Sequence, residues 1–568
     1  MAQRGAQPFS AQLPTDLWRL VDRSYKWSPD RYTLFALCSQ TRDAVLQNIG
    51  SEFGFNAEQT KAFVNTVLLG KHVFLTGGAG VGKSHTVRQI AETMRRYLKS
   101  MYDEGSNRVA ITAPTAAAAK IASTASIVGK TLHLAFNIRN RRRAPTSSPC
   151  VSEQGGGRGG SAEQLAVDMG VGDEQLEDAD DESGGLPTAV LDQHVCQWLR
   201  HLKLLIVDEI SMASKEMIDL VDGTLKHARG SRLPFGGCVV LFVGDPLQLA
   251  PVCMPAAIKR MDGRTWAFQS DAWQHLLPVQ LVHVVRQAGD PHFAAILNRM
   301  RFAAHTPQDV AWINTSTRTS RDNALTAIMP SHNKCNQRNG EMLARLVGPE
   351  YRLEPERFCR EVVSRDPWEA KLLAAHEIPP HVYVRYPSAK SVNDALVLKV
   401  GARVRCIRNV YSGTYPRRSL DVANGQLGTV TRIEGLSVAV LFDAIGMEGR
   451  IEREVAPVLW ARKQRFELNG HPVFACVKQL PLTLSWAQTL HSAQGATIAT
   501  NVDVDHTAVF PNEARKWVPQ PAAAYVALSR PTTVGAMRLL RPLKSSDIVA
   551  DPEVLAYMTR TFGALQRA

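Results

Sequence analysis

No Cys-x-x-Cys pair occurs in this chain, and its nine cysteines are scattered from Cys38 through Cys150, Cys196 and Cys238 onward. That pattern excludes a cysteine-built zinc site and favours a reducing, intracellular compartment. No apolar run approaches the roughly 18 residues of a membrane span, so no membrane partner is expected. The opening MAQRGAQPFSAQLP has neither the charged start nor the apolar core of a secretory signal. Repeats of the solenoid kind are also lacking. What is present is a globular composition, 45% hydrophobic, over 568 residues, enough for roughly three or four domains. A net charge of +13 points to a polyanionic partner.

One stretch departs from globular composition. Between about Asn140 and Leu191 the chain runs through three arginines, a Ser/Pro segment, GGGRGG and an acidic run from Asp173 to Glu182. Such a stretch cannot bury enough apolar surface to fold and reads as a disordered insertion. Its arginine run reads as a solvated loop shoulder. On either side, apolar runs of strand length (Val109–Thr112, Leu204–Val207, Val239–Val243, Val502–Val504) alternate with helix-compatible segments. That alternation predicts an α/β fold with a parallel sheet. From about Asn424 to Cys476 the pattern changes to Asn-Gly followed by β-branched alternation, which predicts a small antiparallel β module.

The chemistry is written most clearly in GGAGVGKSHT, Gly77 to Thr86, which fits G-x-x-x-x-G-K-[ST]. An apolar strand (Val73, Phe74, Leu75) precedes it, and a helix-compatible segment follows. Backbone amides of Gly77, Gly78, Ala79, Gly80, Val81 and Gly82, with Lys83, Ser84 and His85, would cradle the phosphates of ATP. Lys83 would reach the β/γ oxygens and Ser84 would hold Mg²⁺. In LLIVDEISM, a buried strand carries Asp208 and Glu209 to the edge where ligands of doubly wound sheets bind. Asp208 suits Mg²⁺ beside Ser84, and Glu209 suits activation of the attacking water. A third strand delivers Asp245-Pro-Leu-Gln248, with Gln248 placed to sense the γ-phosphate.

PFGG (Pro234 to Gly237), the strand after it and GDPLQLAPV together resemble the signature of the Pif-one (petite integration frequency) DNA helicases, superfamily 1B relatives of RecD. Other motifs agree in order. FNAEQ (Phe55 to Gln59) is similar to the family's adenine-contacting Q motif, TAPTAAAA from Thr112 to motif Ia, and GKTLH (Gly129 to His133) to the element after it. VVRQ (Val284 to Gln287) resembles motif IV, WAQTLHSAQGATI (Trp486 to Ile498) motif V, and YVALSRP (Tyr525 to Pro531) motif VI. VGARVRCIRN and VANGQLGTV resemble the entry into the family's small β-barrel. The resemblance runs from about Phe55 to about Tyr557 outside the insertion. There are departures. The third motif reads GDPLQLAPV where the family has GDFFQLPPV, which implies a weaker or differently tuned coupling of nucleotide state to DNA grip. The insertion falls where the family carries its strand-separating 1B element.

The resemblance implies two RecA-like P-loop NTPase lobes, 54–278 and 279–543, with a small β-barrel inserted in the second at about 424–476 and a C-terminal helical tail at 544–568. It implies adenine contact by Gln59 and γ-phosphate arginines at Arg286 and Arg530. It also implies contacts with single-stranded or forked DNA at Thr115, Thr131, His133, His491 and Gln494, although His133 and His491 can equally be packing histidines. Trp486 reads as core. The activity implied is ATP-driven five-prime to three-prime translocation and unwinding by a monomer in the nucleus or another site of DNA replication. The alternatives are an RNA-directed helicase, a protein-stripping translocase, or a ligase adaptor with a vestigial ATPase. Residues 1–53 read as a short helical region in which Leu13-Pro14, Leu17, Ser28-Pro29, Leu37-Cys38 and Arg42 resemble an F-box, implying a Skp-type adaptor partner.

Overall fold

The computed structural model describes residues 47, 49–102, most of 108–140, 187–189, 193–251, 266–319, 326–361, 372–373, 395–412, 419–443, 449–461, 466–468, 471–507, 509–511 and 517–563, apart from a few single residues within these spans. The F-box-like segment and nearly all of the predicted insertion lie outside them. One correction concerns the insertion's end, because Pro187–Ala189 forms a short strand.

The chain divides into two compact units. The first contains 1–138, 187–330 and 490–568, and the second the rest. The first unit is built on a parallel sheet of β1 (Val73–Gly77), β2 (Val109–Ala113), β3 (Lys130–Thr131), β4 (Leu204–Val207), β5 (Val239–Gly244) and β6 (Leu277–Leu281), in the order β3-β2-β4-β5-β1-β6. All the pairings are parallel. The central strands are buried along their whole length, so they read as continuous apolar runs rather than alternating ones. Strand β6 crosses the expected lobe boundary at 278/279 and belongs to this first sheet.

Because successive side chains of a strand point to opposite faces, the sheet separates two cores. Val73, Leu75, Ile206 and Leu241 pack with Val87, Ile90 and Met94 of α2 (Lys83–Tyr102), which follows α1 (Ala57–Phe63) in the chain. Phe74, Leu205, Val207 and Phe242 face the other way. After α3 (Leu132–Ala135) and α4 (Gln193–His201) comes α5 (Lys215–Arg229), whose Ile218, Val221 and Leu225 join that second core.

The remainder of the unit adds α6 (Pro291–Arg301), α7 (Pro307–Ser316), β7 (Thr326–Met329), α8 (Leu490–Ala493), β8 (Val502–Val504), α9 (Ala523–Leu528), β9 (Met537–Leu539) and α10 (Pro552–Phe562). Strands β7, β8 and β9 are parallel with β8 central. Phe293 and Ile296 of α6, Val502 and Val504 of β8 and most of α9 form a core of their own. Helix α10 packs in the α5 core instead, where Trp273 donates its indole N–H to the Tyr557 hydroxyl at 2.9 Å.

In the second unit, Arg403–Cys406, Leu427–Glu434, Ser437–Phe442, Ile451–Val455 and Leu482–Leu484 form a five-stranded antiparallel sheet. Its first and last strands lie outside the predicted 424–476, so the β module is longer than its sequence signature. Trp486 is 5% exposed in this unit's core with Val404, Val440 and Phe442, as expected.

Candidate nucleotide site

Three carboxyl ends of the first sheet supply the site. Strand β1 runs into the glycine loop, whose Gly80 and Gly82 take φ of +78° and +86°. A side chain at Gly80 would also collide with Arg286, its Cβ falling 2.3 Å from that of the arginine. Glycine is therefore required at Gly80 on two counts. The loop's Gly80 carbonyl accepts from the amides of Val285 (2.8 Å) and Arg286 (3.0 Å). Lys83 opens α2 and turns its ammonium back onto the carbonyls of Gly77 and Gly78, both at 2.8 Å.

Strand β4 ends in Asp208 and Glu209. Glu209 holds a left-handed conformation (φ 50°, ψ 44°), a strained choice for a residue with a side chain and one associated with functional sites. The turn fits only because Gly244 faces it. A Cβ on Gly244 would come within 2.8 Å of the Ile210 nitrogen. The Glu209 amide donates to Asp208 Oδ1 at 2.8 Å. Strand β5 ends in Asp245, which is fully buried and gripped by Arg301 of α6 at 2.9 Å and 2.7 Å. Gln248 donates to the same carboxylate at 3.4 Å, and its Oε1 is buried with no hydrogen-bond partner.

These ends border a cavity of about 350 Å³, lined by residues 79–85, Asp208, Glu209, Gln248, Arg286, Arg530 and others. Arg530, from the segment after α9, is 1% exposed and donates to the carbonyls of Val526 and Ala496 and to the Ser529 hydroxyl. Arg286 donates to the Ser529 carbonyl at 2.9 Å. Gln287 also binds that carbonyl, at 3.3 Å, and that of Pro531 at 2.9 Å.

The electrostatics are those of a site prepared for a charged guest. Burial, together with the nearby Arg530, lowers the Arg286 guanidinium to about 9. Burial also lowers Arg530 and Lys83, against the pull of Glu209 and Asp245 on both. Burial and the neighbouring Glu209 push the Asp208 carboxyl up to about 7. Lys83 and Arg88 offset that rise only in part, and a divalent ion beside Ser84 would offset it further.

Other expected residues fall differently. Gln59 is buried, and its Oε1 closes the capping box of α1 with Asn56, while its Nε2 stands against Gly82. His85 lines the cavity and meets the Phe53 carbonyl at 3.2 Å. Thr115 accepts from the Ala118 amide at 3.3 Å. Thr131 is buried, and its hydroxyl accepts from the Leu134 amide at 3.3 Å, which caps α3. Burial lowers the pKa of His133, whose Nδ1 is buried without a hydrogen-bond partner. His491 lies in α8. Gln494 is the clearest departure from expectation. It is 6% exposed and donates to Glu209 Oε2 at 3.0 Å and to the Ser211 hydroxyl at 3.3 Å, so its side-chain amide is turned to Glu209 and the turn after it.

The sequence reading gave no role to Asp245, Arg301, Gln287 or Tyr525. The Tyr525 hydroxyl accepts from the Ala79 amide of the glycine loop at 2.8 Å. Asp245, Gln287 and Tyr525 stand inside the motif text already quoted, whereas Arg301 carries no local signal.

A family model described as an AAA domain matches residues 59–254. The chain is 27% identical over 509 residues to the ATP-dependent DNA helicase PIF1 of Danio rerio, a match covering 89% of this chain and 63% of that protein. It is 26% identical over 509 residues to the ATP-dependent DNA helicase Pif1 of Bdellovibrio bacteriovorus, covering 89% of this chain and 92% of that one. Among solved structures it is similar to the Pif1 helicase from Candida albicans (TM-score 0.60, 22% identity, 89% of this chain and 99% of that one). It is also similar to the Bacteroides Pif1 helicase in complex with ADP-AlF3 and ssDNA (TM-score 0.61, 22% identity, 89% and 98%). Together these two likenesses define a two-lobed, RecA-like α/β P-loop fold. These relatives, in sequence and in fold, are Pif1-family DNA helicases. The chain spans 63%, 60% and 62% of the length of the zebrafish, Emericella nidulans and Xenopus laevis proteins it matches.

Proposed function

We propose that this protein is an ATP-dependent DNA helicase of the Pif1 type, translocating five-prime to three-prime on single-stranded DNA and opening forked duplexes. The observation carrying this reading is that the half-buried Arg286 and the fully buried Arg530 line one cavity with Lys83, and that Arg530 raises the cost of the charge on Arg286. Such an arrangement is relieved by a polyanion, and a triphosphate on the glycine loop is the guest that fits.

In the proposed mechanism, Lys83 exchanges the Gly77 and Gly78 carbonyls for the β/γ oxygens. Ser84 and Asp208 would hold Mg²⁺, which neutralises phosphate charge when bound. Glu209 takes a proton from the attacking water, whose oxygen bonds to the γ-phosphorus as the bond to ADP breaks. Gln248 senses the γ-phosphate, and the two arginines stabilise its developing charge. Gln59 contacts the adenine from behind Gly82. Because Arg530 follows α9 of the other core while Lys83 follows β1, triphosphate draws the two lobes together, and hydrolysis releases them.

The likeness to DNA-bound Pif1 structures supports DNA as the track, with Thr115, His133 and His491 as contacts. The antiparallel sheet of the second unit is proposed to be the small β-barrel of that family. The F-box-like segment, Leu13 to Leu46, would dock a Skp-type adaptor and is tested by adaptor pulldown. The site of action is proposed to be nuclear or another place of DNA replication. Among the described residues no helix is long and apolar enough to cross a membrane.

The test is ATP hydrolysis and strand separation on forked duplexes carrying a single tail of either polarity, alongside RNA equivalents. Unwinding from a five-prime DNA tail is expected. Activity confined to RNA, or stimulation by DNA with no strand separation, contradicts the helicase reading.

A further inference from the structure

Glu209 is the base of the proposed reaction, and its backbone holds a left-handed turn while its carboxylate is met by a side-chain donor. The donor that reaches it is Gln494, at 3.0 Å from Oε2. Gln494 follows α8 directly, and its own amide donates to the His491 carbonyl at 3.3 Å. The same side chain reaches Ser211, in the turn following Glu209, so it ties the acid to the turn after it. Its Oε1 is buried and has no hydrogen-bond partner, leaving one acceptor unspent beside the site. The next residue but two, Thr497, lines the nucleotide cavity along with Gly495.

We infer that Gln494 is a positioning residue for hydrolysis, aiming the Glu209 carboxylate and tying motif V of the second lobe to the general base of the first. This rests on the proposed ATPase reading and deepens it. A neutral amide suits the task. It donates to a carboxylate without neutralising it, whereas a lysine would hold the base in an ion pair, and a shorter donor would not span the gap. The link also gives DNA a route to the chemistry. His491, a proposed DNA contact, lies three residues before Gln494 and is joined to it by one backbone hydrogen bond. A strand held at α8 therefore fixes the side chain that aims Glu209. As a buried side chain whose amide is spent on two protein acceptors, Gln494 does not read the phosphate backbone itself.

The experiment compares the full chain with Gln494→Met, which keeps the volume, and Gln494→Ala, each also combined with Glu209→Gln. ATP hydrolysis is measured under steady-state and single-turnover conditions, together with single-stranded DNA affinity and thermal unfolding. With Gln494→Met, DNA-stimulated kcat is expected to fall on the order of tenfold to a hundredfold, the range of a lost acid–base alignment. The KM for ATP, the DNA affinity and the unfolding midpoint should stay near those of the unaltered protein. In the Glu209→Gln background, the Gln494 change should add no further loss, because its effect runs through that carboxylate. Weakened DNA binding with hydrolysis intact overturns the inference and makes Gln494 a DNA contact. Independent, multiplicative losses in the double variant overturn it as well. An unaltered chain that hydrolyses no ATP overturns both this inference and the ATPase reading, while an active one with an indifferent Gln494 overturns only this inference.

Discussion

The hydroxyl of Tyr525 accepts a hydrogen bond from the amide of Ala79 at 2.8 Å, joining α9 to the glycine loop across 446 residues of sequence. Burial pushes that hydroxyl up to about 12, with Asp245 adding to the shift, so the phenol keeps its proton and contributes only lone pairs to the amide. A second cavity, of about 190 Å³, adjoins the contact.

Tyr525→Phe keeps the ring and deletes the acceptor, leaving the Ala79 amide unmatched on that side. One such bond is worth about 1 kcal/mol net. The KM for ATP is therefore expected to rise several-fold, with kcat and DNA affinity little changed. A variant with unaltered KM would show that the contact does not help hold the lobes over nucleotide.

Asp245 and Arg301 form an ion pair that is 0% and 3% exposed, with two parallel hydrogen bonds. Burial alone would lower the Arg301 pKa, but the carboxylate more than offsets it. Removing one partner strands the other charge, so Arg301→Met should destabilise the fold by about 3–5 kcal/mol. Adding Asp245→Asn should restore part of that stability without restoring activity, because Gln248 also loses its ionised anchor. Chemical denaturation of the single and double variants checks this, and equal stability of all three would contradict it.

His72 gives an acid-sensitive term. Its Nδ1 accepts from the Val240 amide at 3.2 Å, which requires that nitrogen unprotonated, and its ring meets Phe235 edge-on. Burial, with His275 nearby, lowers its pKa from 6.5 to about 4. The unfolded chain thus binds the proton first as pH falls, and stability declines from about pH 6.5 towards 4, by up to about 3 kcal/mol. His72→Asn, whose side-chain oxygen can accept in place of Nδ1, should flatten that slope in unfolding midpoints measured across the window. An unchanged slope would assign it to other groups.

Much of this molecule was readable in its sequence, because the deciding signals are local. The strands at Val109, Leu204, Val239 and Val502 announce themselves as apolar runs, and the glycine loop, Asp208 and Glu209 sit next to them. The reading failed where partners lie far apart. Arg403–Cys406 and Leu482–Leu484 join the antiparallel sheet only by long-range pairing, so the β module was drawn too short. Leu277–Leu281 runs into motif IV and was split between lobes, although its edge position beside β1 makes it part of the first sheet. The bond from Gln494 to Glu209 was not legible either, because motif text names a residue but not the direction of its side chain. Arg301 was invisible, being one arginine on an amphipathic helix until Asp245 is seen opposite it.

The central claim is that the glycine loop powers a DNA-dependent motor. Its most direct test is ATP hydrolysis by Lys83→Ala with and without single-stranded DNA. The account predicts that DNA-stimulated turnover is abolished while the variant remains folded by thermal unfolding. Unchanged turnover in that variant would contradict the site and the function built on it.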